Sequence, residues 1–150
     1  MTNGETKLLI PGLSGFYAAM TPVAEALLRV VVGAMFLMHV SAKFHAGAAA
    51  TAANIFAKNG IEPALLIAEG IMALELVGGA CLLVGLFTRF FAAAFAIEML
   101  VAVILVNLPK GYAANAGGYE YVLMIGAVCF LLAIRGGGAW SIDRFLGKEL

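Results

Sequence analysis

Apolar residues fall into four long runs, at 21–40, 63–87, 90–108 and 118–134, and the breaks between them collect glycine, proline, asparagine, lysine and arginine. The breaks include Lys58-Asn59-Gly60-Ile61-Glu62-Pro63, Thr88-Arg89 and Asn107-Leu108-Pro109-Lys110-Gly111. Each run approaches the ~20 residues that a helix needs to cross the hydrocarbon core of a bilayer. Unpaired backbone groups are too costly in lipid for open strands, and four strands could not close a barrel. The pattern therefore predicts an all-α integral membrane four-helix bundle occupying the whole chain as one domain. Short connections make neighbouring helices antiparallel, so the bundle runs up-down-up-down with both termini on one side.

Shorter patterns flank the runs. Ala52, Ile55 and Phe56 recur at helical spacing opposite Thr51, Asn54 and Lys58, which predicts a short amphipathic helix lying on the membrane. Residues 1–20 read as an N-terminal interfacial segment, helical from Leu8 to Met20. Residues 136–150 read as a C-terminal interfacial tail: Gly136-Gly137-Gly138 stops the fourth helix, Trp140 suits the headgroup layer, and Ser141 caps a short helix from Ile142 to Leu146. Residues 1–21 lack a basic run followed by an apolar core and a small-residue cleavage site, so a removable signal peptide is not expected.

Composition narrows the class. Of the 150 residues, 63% are hydrophobic and 12% charged, and the mean hydropathy is +1.02, which leaves too little polar surface to cover a water-soluble globule. Nine basic and nine acidic residues cancel, so no field exists to attract nucleic acid, and none is expected as a partner. The basic residues do carry orientation. Lys7, Arg89, Arg135, Arg144 and Lys148 fall on the terminal side, whereas Lys43, Lys58 and Lys110 fall opposite, so the positive-inside rule favours cytoplasmic termini. Cys81 and Cys129 lie deep in apolar runs with no CxxC motif, and both read as packing residues.

The chemistry lies in charges placed where charge is costly. Arg29, Glu69, Glu75, Glu98 and Glu120 fall within or at the edge of the runs. At ~1.5 Å per residue from the terminal side, Arg29 lies roughly 10 Å deep, Glu98 roughly 13 Å and Glu75 roughly 16 Å. A guanidinium on a long stem could bridge both carboxylates, which predicts an intramembrane polar site of Arg29, Glu75 and Glu98. One positive and two negative groups would then hold a proton or a further cation. Two uses remain open: a buried anchor that fixes helix register, or a proton-relay or ligand site.

A second group lies nearer the other side. His39, Lys43, Glu69, Asn107, Tyr119 and Glu120 are candidates for a pocket mouth with aromatic walls from Tyr119 and Tyr121, against the plain alternative that such groups snorkel to the interface. At 100° per residue, Arg29, His39 and Lys43 share an ~80° arc of the first helix, while Glu69 and Glu75 stand ~120° apart on theirs. His39 and His45 sit near one end of a single helix, so a haem held by this chain alone is not expected. No recognised zinc-ligand spacing occurs, and His39, Glu69 and Glu120 form only a weak metal set.

These positions together resemble the DoxX family of small bacterial membrane proteins. The matching stretches are Leu28-Arg29 through Gly33, Phe36, His39 and Lys43; Gly60-Ile61-Glu62-Pro63; Glu75 to Gly79 leading to Gly85-Leu86-Phe87-Thr88-Arg89; and Gly117-Gly118-Tyr119-Glu120 with the tail from Gly136 to Asp143. Glu69 and Glu98 stand outside the family pattern. The resemblance implies a multi-pass protein of the bacterial cytoplasmic (inner) membrane, next to the quinone pool. It implies a membrane subunit or accessory of quinone-linked redox or oxidative-stress metabolism involving thiols or sulfur. Its expected partners are the lipid bilayer, a quinone or lipid, and other proteins or further copies of itself, although no signature of a tightly bound redox cofactor stands in the chain. Two other classes compete: a small proton-coupled transporter, and a non-catalytic assembly partner of a larger membrane complex.

Overall fold

A computed structural model describes residues 8–149, and among them every regular element is helical. Helix α1 spans Ser14–Ala46, α2 Ala48–Thr51, α3 Ala64–Val84, α4 Thr88–Val101, α5 Glu120–Arg135 and α6 Ile142–Leu146. Three helical stretches, Pro11–Ala46, Ala64–Val84 and Thr88–Lys110, are long and apolar enough to cross a membrane. Many large apolar side chains on them face outward, among them Leu27, Met38, Leu66 and Ile97. In water such a surface would aggregate, whereas in lipid it is the contact face. The fold is an all-α membrane bundle.

Hydrophobicity marks the membrane-facing part of α1, but the helix itself is longer. No cluster of breaking residues separates Met20 from Thr21, so the segment from Ser14 is continuous with α1 rather than a separate interfacial helix, and Pro22 sits inside it. At ~1.5 Å per residue α1 is about 50 Å long, well beyond a ~30 Å hydrocarbon core. It ends at Gly47, whose φ of 88° is open to glycine. Helix α3 stops at Val84, short of the apolar run that extends to 87. Gly85 turns left-handed there at φ 73°, and the Leu86 amide donates back to the Cys81 carbonyl at 2.9 Å. Helix α4 does not end at Val101 but widens into a π-helical stretch, Ala102–Asn107, and closes on a 3-10 turn, Leu108–Lys110. Helix α5 has 16 residues, fewer than the 23 of the continuous helical stretch Thr88–Lys110.

Tertiary contacts set the registers. Helices α1 and α3 are antiparallel and nearly touch at two glycines: a Cβ on Gly33 would lie 2.8 Å from the Gly79 carbonyl oxygen and 2.9 Å from the Leu83 nitrogen. Small residues permit such approach, and dispersion across it replaces the hydrophobic drive that lipid removes. Helices α4 and α5 are likewise antiparallel, with Arg89 donating to the Ala133 and Ile134 carbonyls at one end and Asn107 to the Gly117 carbonyl at the other. In the centre the Phe36 and Phe95 rings stack 3.7 Å apart, joining α1 to α4.

The connection after α1 is helical, and its apolar side packs on protein. Helix α2 passes into a π-helical stretch, Ala52–Phe56, and a 3-10 turn, Ala57–Asn59. Ala52 is buried with Ala64 and Ala68 of α3. Thr51, expected on the polar face, is buried as well. The segment packs across the end of α3, so its apolar side faces protein. The tail is equally tied in. Ser141 caps α6 by accepting from the Arg144 amide, and the Asp143 amide donates to the Gly85 carbonyl at 2.9 Å.

Candidate intramembrane polar cavity

A cavity of about 590 Å³ lies between the long helices, near the end of the bundle that carries the 47–63 and 108–119 connections. Its walls are mostly aliphatic and aromatic, with Phe36, Leu74, Ile71 and Ile125 prominent. The polar groups lining it are His39 and Lys43 from α1, Glu75 from α3, Glu98 and Asn107 from α4 and its π-helical extension, and Tyr121 from α5. Ile55 and Phe56, from the connection after α1, wall the same space. His39 is exposed while lining the cavity, so the cavity meets the surface there. Ile97 and Val101 are exposed and line it too, which opens a side toward the lipid-facing surface of α4.

Lys43 and Glu75 form the central contact. The Lys43 ammonium donates to Glu75 Oε1 at 2.6 Å, and the Glu75 side chain is 3% exposed. Glu75 Oε2 is buried and receives no bond from any protein N–H or hydroxyl, and the same holds for Glu98 Oε2. Glu98 lines the same cavity wall as Glu75 and has Glu75 as its charged neighbour.

The expected bridge from Arg29 to Glu75 and Glu98 does not form. Arg29 is 2% exposed, and its Nη1 donates to the Leu82 and Leu83 carbonyls at 2.5 and 2.8 Å, its Nη2 to the Trp140 carbonyl at 2.7 Å. The carboxylate that it feels is Asp143. Register is the reason. Gly33 against Gly79 sets Arg29 beside the C-terminal end of α3, where carbonyls are left free by the helix itself. Glu75 lies two turns further along and is reached by Lys43 instead.

The expected mouth also divides. His39, Lys43 and Asn107 line the cavity; Glu69, Tyr119 and Glu120 do not. Glu69 is exposed on the outer face of α3, as its ~120° offset from Glu75 requires. Glu120 sits in the first turn of α5 and accepts from the Ala114 amide at 3.1 Å, while the Tyr119 ring meets Tyr112 edge to face at 5.5 Å. Both order the preceding loop. Tyr121 is the aromatic that reaches the cavity, donating to Met35 Sδ at 3.3 Å.

Asp143, which the hydrophobic pattern does not single out, is 1% exposed and accepts from the Phe87 amide at 2.7 Å and the Thr88 amide at 2.9 Å. A signal for it did exist. Phe87 occupies the N-cap of α4 and has no side-chain oxygen, so the first amides of α4 need an acceptor from elsewhere in the chain.

Fold and cavity together define a small helical membrane protein with a buried ion pair opening on an apolar chamber. A model of the DoxX family matches residues 24–108, and the chain belongs to that family. It is 32% identical over 126 residues to a Bacillus subtilis protein named "Putative oxidoreductase CatD", covering 84% of this chain and 89% of that one. It is 33% identical over 133 residues to a Haemophilus influenzae protein, covering 85% and 94% of the two chains. A membrane protein of Mycobacterium tuberculosis is 30% identical over 140 residues, with coverage of 85% and 84%. No solved structure matches the chain.

Proposed function

We propose that this protein is a membrane subunit or accessory of quinone-linked redox metabolism, crossing the bacterial inner membrane four times with its termini in the cytoplasm. The observation that carries the reading is the cavity: an apolar chamber of about 590 Å³ whose wall holds the Lys43–Glu75 pair and Glu98. A benzoquinone head group is a flat apolar ring with two oxygens that accept hydrogen bonds and take up protons on reduction. Lys43 and Tyr121 can donate to such oxygens, Glu98 can exchange a proton with them, and the aliphatic walls exclude water. Entry from lipid is supported by Ile97 and Val101, which belong both to the cavity and to the outer surface. The Bacillus subtilis relative's name is in keeping with redox work. Electrons would come from a partner, since the chain carries no cofactor signature of its own.

The test is saturable binding of decylubiquinone to the purified protein in lipid nanodiscs, followed by quinone reduction with thiol and sulfur donors. Wild type should bind, and Glu75→Gln should bind more weakly and turn over more slowly. Equal behaviour of the two, or no saturable binding by wild type, overturns the reading.

A further inference from the structure

We infer that Glu75 and Glu98 share one exchangeable proton across the cavity wall, with Lys43 holding the charge on Glu75, so that Glu98 is the carboxyl that carries and releases the proton. The inference rests on the arrangement of every ionisable group around the pair. From α1, Lys43 occupies Glu75 Oε1 at 2.6 Å, and His39 lines the cavity where it meets the surface. From α3 comes Glu75, 2% exposed, with Oε2 buried and unpartnered. From α4 comes Glu98, its Oε2 buried and unpartnered, on the same cavity wall as Glu75. From α5, the nearby ionisable groups are Tyr121, whose hydroxyl is directed to Met35, and the buried thiol of Cys129. The connection after α1 adds only apolar side chains, Ile55, Phe56 and Ile61.

One ammonium faces two carboxyls. With no proton the group would carry a net negative charge in an apolar chamber, and two buried acceptor oxygens would stand without a donor. A single proton removes both faults. It makes the group neutral and turns the two oxygens into a donor and an acceptor, giving a short, charge-assisted bond. Lys43 decides where that proton resides, because its ammonium already donates to Glu75 Oε1 at 2.6 Å and has no such contact with Glu98. Glu75 is therefore the acceptor and Glu98 the donor. His39 and Tyr121 are the ionisable side chains that line the cavity and are also exposed.

The inference deepens the quinone reading by naming the group that would hand over a proton, but its test needs no quinone. Dicyclohexylcarbodiimide, a hydrophobic reagent, reacts with carboxyls that bear a proton. The proton passes to a carbodiimide nitrogen, the carboxyl oxygen bonds to the central carbon, and an oxygen-to-nitrogen acyl shift leaves a stable acylurea with no leaving group. Applied to the full-length protein in nanodiscs and read by peptide mass spectrometry, the reagent should label Glu98 in preference to Glu75. Labelling should fall as pH rises. Glu98→Gln should abolish it, with size-exclusion profile and helical circular dichroism showing that the fold is kept.

Glu75→Gln leaves Lys43 free to pair with Glu98, and labelling should drop by roughly tenfold, the change that one unit of proton affinity corresponds to. Lys43→Met removes the asymmetry, and label should appear on both carboxyls. A wild-type Glu98 that stays inert at acidic pH, or label independent of pH, overturns the inference. Protection by sodium ions that scales with their concentration also overturns it, because a metal cation would then occupy the space assigned to the proton. Decylubiquinone as competitor separates the two readings: label at Glu98 that the quinone does not block leaves the shared proton standing and removes the quinone from this cavity.

Discussion

The two ends of the bundle each bury charge, and they treat it differently. At the terminal end, Arg29 gives three bonds to carbonyls of Leu82, Leu83 and Trp140, and Asp143 takes two from the amides of Phe87 and Thr88. These charges close off helix ends: Arg29 fills carbonyls that α3 leaves free, and Asp143 fills amides that α4 leaves free. At the other end, Lys43 and Glu75 share one bond, and acceptor oxygens of Glu75 and Glu98 remain open beside a cavity. A buried charge is thus a poor marker of function by itself. What separates the two ends is whether the carboxylate oxygens are taken up by backbone amides, as in Asp143, or left facing a space that a ligand can enter, as in Glu75 and Glu98.

That contrast can be broken in order of expected effect. Asp143→Ala should be the most damaging change, because it strips two charged hydrogen bonds from the start of α4 and leaves Arg29 without its carboxylate. A loss of about 3 to 5 kcal/mol is expected, read as a lower unfolding midpoint in detergent. A change below about 1 kcal/mol would mean that the tail does not hold the bundle closed. Gly33→Ala comes next. Its methyl group would meet backbone atoms of α3 at 2.8 and 2.9 Å, which cannot rotate aside, so a loss of about 1 to 3 kcal/mol is expected from forced separation of α1 and α3.

Lys43→Met probes the other end. It should weaken decylubiquinone binding by roughly tenfold, about 1.4 kcal/mol, while its unfolding midpoint stays above that of Asp143→Ala. If Lys43→Met instead unfolds as readily as Asp143→Ala, the division between a structural end and a ligand-binding end fails. The smallest effect belongs to Arg135→Gln. Arg135 pairs with Glu25 at the bundle surface, and exposed pairs contribute little. Its thermal unfolding curve should overlay that of wild type, and a clear drop would show that this surface pair closes α5 onto α1.

How much of this was legible beforehand differs by feature. The helical class and the approximate place of each long helix follow from the apolar runs, because lipid admits few alternatives. Their ends did not follow. Helix α3 stops at Val84 although the apolar run continues to 87, and α1 extends well past 40, because hydropathy reports which residues lipid tolerates and not where the backbone turns. Glu75, Glu98, His39, Lys43 and Asn107 were legible as misplaced polar residues. Their partners were not, since counting depth along each helix separately says nothing about how two helices slide past one another.

The sequence by itself therefore determined that this chain lives in a membrane as helices and that a small set of ionisable groups must find shelter inside. Only the tertiary structure decided which of them meet. The register set by Gly33 against Gly79 sent Arg29 to backbone carbonyls and gave Glu75 to Lys43. The physical reason is that insertion energy sums residue by residue along one segment, whereas a salt bridge or a shared proton depends on angstrom-scale distances between segments far apart in sequence.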